Sequence, residues 1–153
     1  MYLLTLVLHS LFRWVVLVLG ALVVGRAVGG AKHNREWTSA DDRAGLWLVI
    51  TLDAQLLLGL ALYLALSPVT RIVFADFGAA MVNAALRFWA VEHIFGMLAA
   101  VVLGHVGRFR MRRVDGAQRH RTTALFFGMA LLAVLLSIPW PGMPAARPLF
   151  RLP

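Results

Sequence analysis

The chain has 153 residues, 61% of them hydrophobic and only 14% charged, which is too little polar surface for a water-soluble domain of this length and leaves no room for a soluble catalytic module. It has no cysteine, so thiol redox chemistry, disulfides, iron–sulfur ligation and covalent haem attachment through a C-x-x-C-H motif are all excluded. The formal charge of +8 sits in two loops where a membrane topology rule requires it, so it argues for orientation in a bilayer and no nucleic-acid partner is expected.

In chain order, four apolar runs cover roughly residues 3–28, 44–66, 84–106 and 122–138. Each is close to the ~20 residues that cross a hydrocarbon core. The first lacks a leading basic residue, carries His9 and Arg13, and outruns the usual signal-peptide core of about 7–15 residues, so it is expected to be a retained helix. The loop after it holds Arg26, Lys32, Arg35 and Arg43. The second run contains Asp53 and Gln55. The connector "SPVTRIVFADFGAAMVNAAL" has Pro68 near its start and an amphipathic middle, which predicts a short helix lying along the membrane surface. The third run opens with Arg87, Glu92 and His93 and closes with His105. The next loop, "GRFRMRRVDGAQRHR", holds Arg108, Arg110, Arg112, Arg113, Arg119 and Arg121. After the fourth run, Pro139 and Pro141 stop the helix, and Trp140 suits an interface. The predicted fold is all-α: one domain, a membrane four-helix up-down-up-down bundle. Only Arg71, Arg87, Arg147 and Arg151 lie on the side opposite the basic loops, so those loops are expected in the cytoplasm and both termini in the periplasm.

Ionisable residues inside lipid are costly and default to function, so their depths matter. His9 lies about six residues into the first helix and His93 about eight into the third; at about 1.5 Å per residue both sit roughly 10 Å below the outer surface. Two imidazoles at one depth on different helices suit an iron porphyrin clamped from both faces. On the third helix His93, Gly96, Met97, Ala100 and Gly104 form one stripe of mostly small residues, expected to open a flat slot. On the first helix the stripe is His9, Phe12, Arg13, Val16 and Gly20. Small residues also serve plain helix packing, and that reading stays open. Arg87, nearer the surface than His93, is placed to pair with a haem propionate.

Arg13 and Asp53 fall within about a turn of each other in depth and are expected to pair, with Glu92 as the competing partner of Arg13. The three residues either fix helix register or serve a proton path or substrate. Gln55 could add a hydrogen bond. His105 lies twelve residues beyond His93, about 18 Å further in, turned about 120° away from it. It is either a ligand of a second haem, with His33 or His120 the only histidines left to partner it, or a helix-terminal histidine beside the dipole.

"LHSLFRW" early in the first helix, "ALRFWAVEH" opening the third and "SIPWP…RPLF" after the fourth resemble a group of small bacterial four-helix membrane proteins loosely labelled cytochrome b. The resemblance spans nearly the whole chain. More distantly, the design resembles the b-type cytochromes that act as superoxide oxidases or hydrogenase membrane anchors, which bind two b haems through paired histidines and exchange electrons with quinone. The resemblance implies that His9 and His93 are haem ligands, with Arg13 and Glu92 their neighbours. The chain departs from the distant relatives in having no histidine inside its second or fourth apolar run, which puts a second haem and a full transmembrane electron path in doubt.

The preferred expectation is a b-type haem electron-transfer protein of the bacterial inner membrane, with one bis-histidine haem b near the periplasmic side and quinone or another redox subunit as partner. Two bound haems remain an option, and a stand-alone enzyme is not expected. The rivals are a divalent-metal binding or transport protein built on His9, His93 and Glu92, and a cofactor-free accessory subunit of a larger complex.

Overall fold

The computed structural model describes residues 1–150, and Arg151 of the topology count falls outside them. The fold is all-α. Four helices are long and apolar enough to cross a membrane: Tyr2–Lys32, Ser39–Leu66, Ala84–Met111 and Ala117–Ser137. The first is α1. The second is α2 (Ser39–Ala61) continued by a π-helical turn at Leu62–Leu66. The connector folds as two short helices, α3 (Pro68–Ala75) and α4 (Phe77–Val82). The third long helix is built from α5 (Ala84–Arg87), a second π turn at Phe88–Glu92, and α6 (His93–Met111). The fourth is α7 (Ala117–Ser137).

The helix boundaries follow local chemistry. Thr38 and Asp41 form a reciprocal capping box at the start of α2, and Asp41 and Asp42 place negative charge against the helix dipole. Ser67 caps α3 with Pro68 in its first turn, where a missing N–H costs nothing. Gly116 turns the basic loop into α7 with a φ of 54°, a conformation that glycine adopts without strain. The long helices overrun the expected spans at their basic ends, α6 reaching Met111 and α7 starting at Ala117. Arginine and threonine both tolerate helix, so hydropathy alone sets those ends too early.

Each long helix packs on two neighbours: α1 on α2 and α7, and α6 on α2 and α7. That is the cyclic order of an up-down-up-down bundle, with α1 and α6 on opposite corners. The core runs through Val16, Val23, Leu48, Val49, Leu52, Ala100, Phe127, Val134 and Ile138. Leu3, Leu57, Leu64, Val102, Phe109, Leu132 and Leu136 all face outward. So broad an apolar girdle needs lipid to cover it. The ends carrying the basic loops are laced by ion pairs: Asp41, 4% exposed, takes both Arg26 and Arg35, and Arg108 forks onto Asp42. After α7 the chain folds back as a strap, residues 139–150. The Leu149 carbonyl of this strap accepts hydrogen bonds from the Arg13 guanidinium and from Trp14 Nε1, and Phe150 stacks on Trp14 at 5.1 Å.

Candidate functional site

Between the diagonal helices α1 and α6 the bundle opens into a cleft of about 140 Å³. By volume that is room for on the order of ten waters. Its walls come from α1, α2 with its π turn, α3, α6 with its π turn, the end of α7, and the strap. His9 and His93 face one another across it, ring centroids 6.2 Å apart with planes at 71°. The matched depth read from the sequence is therefore observed as a contact between rings.

His93 follows directly on the π turn Phe88–Glu92. Such a turn inserts an extra residue into the helix and re-aims what comes after it, a device common at functional sites. The His93 ring lies between Phe88 and Trp89 on one side and α7 on the other. His93 Nδ1 is 2.7 Å from the Ser137 carbonyl oxygen, which can only accept, so Nδ1 carries the proton and donates it there. Nε2 is left with its lone pair free, the tautomer that a metal ligand requires. The π turn that ends α2 matters too: its Tyr63 donates its hydroxyl to the Ala90 carbonyl at 2.7 Å and ties the two irregular turns together.

His9 is held by α2. Gln55 Nε2 donates to the His9 backbone carbonyl at 3.0 Å and lies 3.4 Å from His9 Nε2. Gly59, one turn along, lets the ring sit close: a Cβ there would be 3.2 Å from His9 Cε1. Among the described residues three buried polar atoms at the cleft have no partner, namely His9 Nδ1, Arg13 Nε and Gln55 Oε1. Buried polar groups are normally satisfied, so a cluster of orphans lining one cavity marks a place where something else binds.

Several expected assignments are corrected. Arg13 does line the cleft, but it pairs with neither Asp53 nor Glu92; it bonds the Leu149 carbonyl of the strap. Asp53 points away from the cleft and binds His105 Nε2 at 2.9 Å, both side chains about half exposed on the outer surface of the bundle. The reason is helix phase: Asp53 and Gln55 are two residues apart, about 200° round the helix, and Gln55 is the one that faces in. Glu92 is taken by Arg87 at 2.9 Å, both half exposed, so Arg87 does not line the cleft and Glu92 is no third ligand beside the histidines. Gly96 opens no slot; it seats α6 against α7, where a Cβ would overlap Ser137 Oγ. Gly104 likewise packs on Leu52 of α2, and Gly20 on Leu131 of α7. Of the α6 stripe only His93 and Met97 reach the cleft.

His105, bonded to Asp53, has no second imidazole beside it. His120 is fully buried at the basic end, packed against Gly30 and 4.9 Å from Trp37, and His33 is exposed beyond α1. A second haem on His105 thus finds no opposing histidine. Among the described residues no three of His, Asp, Glu or Cys gather as a metal cluster. Sequence reasoning missed Gly59, Tyr63, Trp89, the Ser137 carbonyl and Arg147 as parts of the site.

The fold and the cleft define a multi-pass, all-α four-helix membrane protein with a paired-histidine cavity inside its bundle. No protein-family model, curated protein or solved structure matches the chain.

Proposed function

We propose that the chain is a b-type haem protein for electron transfer in the bacterial inner membrane, with one haem held between His9 and His93. The observation that carries this reading is the spacing of the two rings. A metal–imidazole bond of about 2.0–2.1 Å, plus about 1.1 Å from nitrogen to ring centre, sets two imidazoles on opposite sides of one metal about 6.2–6.4 Å apart, centroid to centroid. The rings lie 6.2 Å apart. A porphyrin brings four nitrogens of its own and needs only two more ligands, whereas a bare divalent ion needs at least a third, and among the described residues no third His, Asp, Glu or Cys joins the pair. The fixed tautomer of His93 and the orphaned atoms around His9 fit the same group.

A haem held by His9 and His93 would supply a one-electron centre, and ligation by two imidazoles would favour electron transfer over oxygen binding. The chain's own residues do the rest. Ser137 orients the His93 ring, Gln55 and Gly59 set the His9 ring, and Met97, Leu52 and Val134 exclude water from the inner end of the cleft. By the positive-inside rule the two basic loops lie in the cytoplasm, and both termini with the His9 and His93 end of the bundle lie in the periplasm. Quinone or a neighbouring redox subunit is the electron partner this reading expects.

The test is the visible spectrum of the purified protein with a haemochrome count. One haem per chain, a Soret band that shifts and sharpens on reduction, and loss of pigment in His9→Ala and His93→Ala are expected. A colourless protein that takes up no haem would overturn the proposal.

A further inference from the structure

We infer that the cleft is built for a dianionic occupant, and that Arg13 and Arg147 together receive its two carboxylates. This deepens the haem reading and rests on it, b haem being a porphyrin with two propionate groups. Two arginines and two histidines line the cleft, and not one acidic residue does. The chain has seven acidic residues in all. Five are committed elsewhere: Asp41 to Arg26 and Arg35, Asp42 to Arg108, Asp53 to His105, Glu92 to Arg87 and Asp115 to Arg119. Asp76 caps α4, and Glu36 is exposed in the loop after α1. Among the described residues no acidic side chain therefore stands against either arginine; Arg147 is exposed and Arg13 is part-buried, so a bound carboxylate would matter most to Arg13, where desolvation makes a countercharge count.

The geometry is specific. Arg13 sits one helical turn from His9 on α1, and both side chains line the cleft. One of its terminal nitrogens is bonded to Leu149, while Nε is buried and has no acceptor among the described residues. Arg147 comes from the strap. Its backbone N–H is anchored on the Pro139 carbonyl at 3.3 Å, and its guanidinium lies 5.4 Å over the ring of Trp89, which itself stands 5.4 Å from His93. Both arginines thus line the cleft, Arg13 one turn from His9 and Arg147 on the ring of Trp89. Arg87, the residue the sequence offers for this task, is engaged by Glu92 and by the Met81 carbonyl. A neutral occupant such as a quinone or an acyl chain would bring no negative charge to either arginine. The strap is then a wall of the site, since it supplies one arginine and, through Leu149, positions the other.

The test compares haem with its dimethyl ester, which has the same iron and the same ring but no charge. The full chain, produced in haem-deficient cells and purified in detergent, is titrated with each, reading the Soret band and the rate of transfer to apomyoglobin. The wild type is expected to hold the free acid at least tenfold more tightly than the ester. Arg13→Gln/Arg147→Gln is expected to bind both equally, and the two lysine variants to keep most of the preference. Equal binding of acid and ester by the wild type overturns the arginine assignment while leaving the haem reading intact, and so does a preference that survives in the double glutamine variant. Uptake of neither porphyrin overturns both. The wild-type comparison needs no variant, so a misfolded mutant does not spare the inference.

Discussion

Gly96→Ala separates a glycine that packs helices from one that makes room for a cofactor. A methyl added at Gly96 would overlap Ser137 Oγ and approach Ser137 Cβ to 3.0 Å. Ser137 is held in turn, its Oγ donating to Ala133 at 2.8 Å and its carbonyl accepting from His93. Overpacking of this kind costs about 1–3 kcal/mol, against a gain of up to about 1 kcal/mol from replacing glycine inside a helix. Gly25 has nothing within 4 Å of its added Cβ, so Gly25→Ala measures the propensity gain alone. The difference between the two variants is expected to be about 1–3 kcal/mol against Gly96→Ala. Gly96→Ala/Ser137→Ala removes the overlapping oxygen and is expected to recover about half of it, as a coupling of roughly 1 kcal/mol between contacting sites. The assay is reversible unfolding in mixed micelles, followed by far-UV circular dichroism. Because the clash pushes on the residue that orients His93, haem loss should be faster in Gly96→Ala and slower again in the double variant. If Gly96→Ala matches Gly25→Ala in stability, or Ser137→Ala gives no rescue, the packing role of Gly96 is wrong and the slot interpretation returns.

Three other outcomes are expected. Gly59→Val should weaken haem retention at least tenfold with little change in helix content, since a branched side chain there crowds His9; dissociation kinetics check it. His105→Ala and Asp53→Asn should leave the haem count per chain unchanged, because this pair stands outside the cleft; a haemochrome count that drops by half would instead reveal a second haem. Asp41→Ala removes the N-cap partner of α2 and the shared acceptor of two arginines, and should cost about 1–3 kcal/mol in the same unfolding assay.

What was legible in the sequence divides along a physical line. Hydropathy and length reveal four helices because lipid imposes both. Depth is legible because helix rise is constant, and that alone brought His9 and His93 together. Azimuth is harder. Placing Asp53 beside Arg13 used depth without phase, although the two-residue step to Gln55 already says that only one of them faces inward. The π turn before His93 adds a residue that no periodicity reports, and nothing in "FWAVE" announces it. The neighbour of a small residue is not local information either: Gly96 reads the same whether a porphyrin or Ser137 fills the space above it. Arg147 lies in a proline-rich tail and entered the sequence reading only through the topology count and the resemblance, and its place in the cleft depends on contacts with Trp14 and Trp89, far away in the chain, and on the Pro139 carbonyl.

The central claim is that two imidazoles of this chain bind one iron. Iron-edge X-ray absorption of the purified protein counts those imidazoles through their multiple-scattering pattern. One iron per chain with two imidazoles is the expected result, falling to fewer than two in His9→Ala and in His93→Ala, with His105→Ala unchanged. A protein without iron, or an imidazole count indifferent to both substitutions, contradicts the account.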